Sequence, residues 1–151
     1  MISWEIIMPL IMGFAPTLGF CLLFHVPANH IVPAALIGGL GWAAYELWTS
    51  TGSNKVIGCF LAACLVGLLS DICARTLKET STVFSIPGIM PLVPGAGMFY
   101  TMMELIKSDF SQAATQGSET IFMAGAIALG LMVVGSVIRI IISIKRKIYS
   151  T

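Results

Sequence analysis

Three acidic side chains are the residues of this sequence most able to do chemistry. Glu46, Asp71 and Glu104 each lie inside or beside a long apolar stretch. An ionisable group is costly to place in a membrane, so each is by default a candidate proton carrier or counter-ion. Two of them also have simpler roles open: Glu46 as a solvated carboxylate at a membrane interface, and Asp71 as the ion-pair partner of Arg75, four residues further along the helix.

A proline- and glycine-rich segment is the second candidate site. Its backbone-shaping residues are Pro87, Gly88, Pro91, Pro94, Gly95 and Gly97. No continuous helix keeps its hydrogen bonds through such a segment, and non-helical backbone at membrane depth is tolerated only where protein or a water-filled cavity satisfies it. The segment therefore predicts a broken helix of the kind that holds substrate in transporters. A proline-rich loop outside the membrane, or a kinked packing segment, would explain the same residues.

The residues after the break could bind a solute. We expect a second half-helix from Met98, whose free N–H groups and positive dipole end could receive a substrate carboxylate. Tyr100 and Thr101 lie in its first turn and could add hydroxyl contacts. Glu104 follows and could face the same cavity, which makes it the first proton-coupling candidate.

No metal, cofactor or enzyme chemistry is predicted. The loop residues His25 and His30 have no partner in the sequence, and the four cysteines show no metal-ligand spacing to them. No HExxH, GxSxG or phosphate-loop pattern occurs. A membrane-embedded enzyme is therefore a distant third possibility, and Arg139 is explained by a side chain that snorkels towards the interface.

The composition indicates which kind of secondary structure positions these residues. The chain is 57% hydrophobic and only 10% charged, against roughly 25% charge in an average soluble domain. It therefore predicts an all-α, polytopic membrane helix bundle that contacts lipid and is a single domain over residues 1–151. The basic run Lys145–Lys147 indicates orientation, not nucleic-acid binding.

Five membrane spans are predicted. They cover residues 6–24, 31–48, 56–74, 83–106 and 121–144, the fourth being broken. Pro9 and Pro16 predict a kink in the first span. Glycine and alanine at four-residue spacing in the third and fifth spans predict close helix contacts.

The lysines and arginines predict the orientation. With five spans, the loop holding Arg75 and Lys78 falls on the same side as Lys145–Lys147, and the more basic side is cytoplasmic. The N-terminus would then lie outside and the C-terminus inside. A four-span arrangement would place these two basic groups on opposite sides of the membrane, so five spans are preferred.

Two segments carry a family resemblance. Thr82–Thr101 (TVFSIPGIMPLVPGAGMFYT) resembles the signature of the C-terminal half of the threonine/serine exporter family. Phe24–His30, followed by Ala34–Gly39, resembles that family's opening hairpin. The chain is similar to the short subunit of the split form, in which a larger membrane subunit carries the other half. A similar pair in enteric bacteria is linked to succinate export.

The resemblance implies a function. It implies a subunit of a secondary exporter in the bacterial inner membrane. This exporter would include a larger partner subunit, would carry small carboxylate-bearing metabolites such as threonine, serine or succinate, and would be driven by the proton gradient. The break would be the centre of alternating access. The alternative is a non-transporting accessory subunit whose broken span only packs against a partner.

Overall fold

The protein is an all-α bundle. The computed structural model describes the backbone of residues 2–149 and the side chains of residues 7–144, and no strand occurs among them. Six α-helices and one short 3-10 helix follow in order: α1 (Ile2–Leu23), α2 (Ala28–Ser50), α3 (Lys55–Leu77), α4 (Thr82–Ile89), η1 (Met90–Leu92), α5 (Gly95–Ile106) and α6 (Phe110–Tyr149). The predicted all-α class is confirmed.

Several of these helices can cross a membrane. Among the described residues, α2, α3 and the Phe110–Ile144 part of α6 are each long and apolar enough. Thr82–Leu92 and Gly95–Ile106 together are also long and apolar enough, and they are bent by 44°. Helix α1 holds a shorter apolar segment, Ile7–Leu23. Three or four spans thus follow from length and composition, and the count of five stays a prediction.

Helix α6 begins well before the predicted fifth span. It starts at Phe110, although the apolar stretch starts only at Ile121. Asp109 caps it, because the N–H of Gln112 donates to its Oδ1 over 3.0 Å, and such a cap satisfies an otherwise unpaired amide of the first turn. Hydropathy marks where a span becomes apolar, whereas the cap marks where the helix begins.

One other boundary differs from the sequence-based expectations. Helix α5 begins at Gly95 and not at Met98. The N–H of Met98 donates to the carbonyl of Pro94 over 3.2 Å, so the first turn is already closed before Met98. Helix α1 is a single helix that contains Pro9 and Pro16, and the kink in it stays a prediction.

Glycines let α2 approach α1 closely. A Cβ added to Gly38 would lie 2.1 Å from Oγ1 of Thr17, and one added to Gly13 would lie 2.5 Å from Cβ of Trp42. The hydroxyl of Thr17 is buried and donates to the carbonyl of Gly13 over 2.6 Å. Small residues bring membrane helices together because backbones can then touch. The glycine-rich face of α2 serves this contact.

Close contacts also attach α6 to the bundle. A Cβ on Gly130 would lie 2.9 Å from the carbonyl oxygen of Phe60 and 3.0 Å from Cβ of Ala63. A Cβ on Gly97 would lie 2.3 Å from Oγ1 of Thr120. Helix α6 therefore packs on α3 and on α5. Ala63 and Gly130, which belong to the small-residue pairs of the third and fifth predicted spans, thus lie at a close contact between two helices.

The contact between α1 and α2 yields a stability prediction. Gly38→Ala should lower the free energy of unfolding by about 1–3 kcal/mol, because the new methyl group overlaps Thr17. In a Thr17→Ala background the cost should shrink, since the hydroxyl and Cγ2 that meet this methyl group are gone. Thermal melting of the four proteins of this cycle in detergent measures the coupling. An equal cost of Gly38→Ala in both backgrounds would contradict the assignment.

Candidate functional site

A cavity of about 520 Å³ lies where α5 follows η1. We call it the break cavity. It is lined by Trp42, Tyr45, Lys55, the segment 91–97, Tyr100, Gln116, Glu119, Thr120 and Met123. Residues from α2, α3, η1, α5 and α6 thus meet at one site, although they are far apart in the chain.

The backbone of the break provides polar groups to this cavity. The N–H of Val93 donates to the carbonyl of Met90 over 3.2 Å, and the N–H of Gly95 donates to that of Val93 over 2.7 Å. The first turn of a helix leaves amide groups without intrahelical partners and carries partial positive charge. Gly95, Ala96 and Gly97 form that turn of α5 and line the cavity, although the N–H of Gly95 already donates to the carbonyl of Val93. This end can accept an anionic group.

One interhelical ion pair lies in the cavity wall. Nζ of Lys55, the first residue of α3, lies 3.1 Å from Oε1 of Glu119 on α6. The two side chains are 59% and 39% exposed. They are the only charged residues in the cavity lining within the described part of the chain. Trp42 and Tyr45 line the same cavity, with ring centroids 5.4 Å apart.

The residues predicted to form the substrate site do not all line the same cavity. Pro91, Pro94, Gly95, Gly97 and Tyr100 line the break cavity. Thr101 does not line this cavity. Its hydroxyl donates to the carbonyl of Gly97 over 2.7 Å, and the residue lines a separate apolar groove between α5 and α6.

Pro87 and Gly88 lie on the other side of the break. Both are buried. A Cβ on Gly88 would lie 3.2 Å from Cγ2 of Ile37 and 3.3 Å from Cγ1 of Val66. This part of α4 is therefore packed against α2 and α3.

The three acidic candidates are not brought together. Glu104 lies outside the break cavity, and its Oε1 lies 2.9 Å from Nζ of Lys107. Asp71 forms the expected ion pair with Arg75. Glu46 is exposed on α2 and does not line the cavity either. The structure thus pairs Glu104 with Lys107 outside the break cavity, and its role in proton coupling stays a prediction.

The acidic residue of the cavity was missed by the sequence analysis. Glu119 lies two residues before the predicted fifth span, which begins at Ile121, and is not among the sequence-based candidates. A signal was nevertheless present, because Gln116, Glu119 and Thr120 are spaced i, i+3 and i+4 and so share one helical face. Their helical register became visible only once α6 was seen to begin at Phe110.

A second cavity of about 380 Å³ opens near the connection between α1 and α2. Phe24, His25, Val26, Pro27, Thr82, Val83, Ile86 and Pro87 line it. Pro27 precedes α2, whereas Trp42 of the break cavity lies in its C-terminal half, which at 1.5 Å per residue is roughly 20 Å away. The two cavities therefore lie towards opposite ends of the bundle.

His30 has a different environment from the one expected. It lies in the first turn of α2 and not in a loop. Its Nε2 lies 3.5 Å from Oε1 of Glu79, and its ring packs edge-on against Phe84 with centroids 5.7 Å apart. No group of three or more histidine, cysteine or carboxylate side chains suited to a metal occurs within the described residues.

Comparison with known proteins identifies a family and related chains. A family model described as "Threonine/Serine exporter, ThrE" matches residues 9–137. An uncharacterized protein from Haemophilus influenzae is 27% identical over 128 residues, which cover 80% of this chain and 43% of that protein. The chain thus spans less than half the length of this curated relative. No solved structure matches the chain.

Proposed function

Because the chain belongs to the threonine/serine exporter family, we propose that it forms one half of a secondary exporter whose solute passes through the break cavity. The family and the apolar helices make it a multi-pass membrane protein. The bacterial inner membrane is its proposed location. The remaining part of the transporter is proposed to be a larger membrane subunit, consistent with the greater length of the H. influenzae relative.

The observation that carries this proposal is the position of the break. Helices that stop and restart at membrane depth place backbone amides beside a solute, and transporters use such half-helices for carboxylate groups. Here the start of α5, including Gly95 and Gly97, lines the break cavity. The carboxylate of threonine, serine or a similar metabolite would bind at this end of α5.

Two cavities towards opposite ends of the bundle suit alternating access. We propose that the packed contact of Gly88 with Ile37 and Val66 closes a route between them in this conformation. Export would require α4 and η1 to move against α2 and α3. The packed contact at Gly88 would then open towards one cavity while the protein closes around the other cavity. The junction between the two half-helices, which are bent by 44°, would be the hinge of this movement.

The proposed orientation follows from the basic residues. Five spans with the N-terminus outside would place Arg75 and Lys78 in the cytoplasm. The break cavity would then open to the outside, and the second cavity, with His25, to the cytoplasm. The proton gradient is the proposed driving force. Asp71, Glu46 and Glu104 stay proposed proton carriers although none lines the break cavity.

Reconstitution tests the proposal directly. Proteoliposomes would hold this chain alone, or with a candidate larger subunit, and uptake of labelled threonine, serine and succinate would be followed with and without an imposed pH gradient. We expect counterflow of at least one solute only when both chains are present, and we expect the pH gradient to raise it. Liposomes with the larger subunit alone are the matched control.

Two results would contradict the proposal. If no solute moves although both chains are folded and associated, the exporter function is lost. If the larger subunit alone transports at the full rate, this chain is an accessory scaffold.

A further inference from the structure

The ion pair between Lys55 and Glu119 has no assigned role in the transport proposed above. It joins the start of α3 to α6 across the wall of the break cavity, with Nζ and Oε1 3.1 Å apart. Building on the proposed function, we propose that Glu119 binds the ammonium group of an amino-acid solute, and that Lys55 occupies the same carboxylate while the cavity is empty.

The surroundings of Glu119 suit a cation. Trp42 and Tyr45 line the same cavity, and their rings are 5.4 Å apart. Aromatic faces attract ammonium groups through the ring quadrupole, and a carboxylate adds a charge-assisted hydrogen bond. Carboxylate and aromatic rings together form a site for a primary ammonium. A dicarboxylate such as succinate would instead bring a like charge towards Glu119.

Lys55 can be displaced at little cost. Its side chain is 59% exposed and that of Glu119 is 39% exposed, and solvent-exposed ion pairs are weak because water competes with them. A solute ammonium that also contacts the aromatic rings therefore replaces the lysine. The ion pair thus acts as a resident competitor and not as a fixed strut between α3 and α6.

This arrangement predicts opposite effects of two neutralising substitutions. Glu119→Gln should weaken the binding of L-serine and of ethanolamine at least about tenfold, the loss expected when a charged hydrogen bond is removed. Lys55→Gln should tighten both by up to about fivefold, because the competitor is gone. For succinate the signs should reverse, since Glu119 then repels the ligand and Lys55 offsets that repulsion. A purely structural ion pair would make both substitutions harmful for every ligand.

The experiment is calorimetric titration of the full chain in lipid nanodiscs. L-serine, ethanolamine and succinate are titrated into wild type, Lys55→Gln, Glu119→Gln and the charge-swapped double variant, after circular dichroism has shown that each is helical. Lys107→Gln is the matched control, because that lysine also pairs with a glutamate, Glu104, but outside the cavity. It should leave all three affinities unchanged.

Clear outcomes would overturn the inference. These are equal losses of serine binding in both single variants with recovery in the charge-swapped variant, or a wild type that binds succinate but neither amine. If Glu119→Gln fails to fold, the sign of the change in Lys55→Gln decides alone. Binding is measured without flux, so absent transport with the expected binding pattern would count against the proposed function only.

Discussion

Replacing Gly95 with leucine is expected to abolish export while the protein still folds and inserts. A Cβ added to Gly95 meets no atom within 4 Å, and the residue lines the break cavity at the start of α5. The leucine side chain would therefore enter the cavity without disturbing the packing. Leucine also favours a helix over glycine by up to about 1 kcal/mol, so the melting temperature should not fall.

The control for Gly95→Leu is Gly125→Leu. Gly125 also has open space at its Cβ position, but it lies on α6 away from the break cavity. The measurement is the flux of serine and threonine in proteoliposomes that hold this chain together with the larger subunit. The flux is normalised to the amount of folded protein. Full flux in Gly95→Leu would show that the solute does not pass the start of α5, and the transport proposal would lose the observation that carries it.

Replacing Gly130 with leucine is expected to cost about 3 kcal/mol of stability or more. The added Cβ would lie 2.9 Å from the backbone oxygen of Phe60 and 3.0 Å from Cβ of Ala63. Neither neighbour can rotate away, so α6 must separate from α3. Since α5 packs chiefly on α6, the wall of the break cavity would move with it.

Thermal melting in detergent and the recovery of monodisperse protein measure this second effect. Gly135→Leu is the matched control, because it lies on the same helix and has no atom within 4 Å of the added Cβ. We expect a large fall in melting temperature for Gly130→Leu and almost none for Gly135→Leu. Equal melting temperatures would mean that α3 and α6 are not held together at Gly130.

Much of the fold followed from local features of the sequence. Apolar runs separated by polar turns predicted the helices, and the prolines and glycines of segment 87–97 predicted where the chain changes from one helix to another. These features act within a few residues, because a proline lacks an amide donor and clashes with the preceding turn. The residues from Pro91 to Tyr100 that line the break cavity were predicted as site residues for the same reason, and their role in binding stays a prediction.

The other half of the site could not be found in this way. Lys55 and Glu119 are ordinary charged residues near helix ends when they are read along the chain, and only the packing of α3 against α6 brings them within 3.1 Å. Glu104 illustrates the converse, since its position after the break suggested the cavity but its side chain pairs with Lys107. A side chain's direction depends on the register of the whole helix bundle.

Hydropathy, proline chemistry and residue volume indicated the all-α membrane class, a change of helix within segment 87–97 and the small-residue contacts, because each is a property of a short segment. Which charged and aromatic side chains share the break cavity became clear only from the packed bundle. Contacts between helices far apart in the chain depend on the relative rotation and depth of those helices, and no local pattern specifies either.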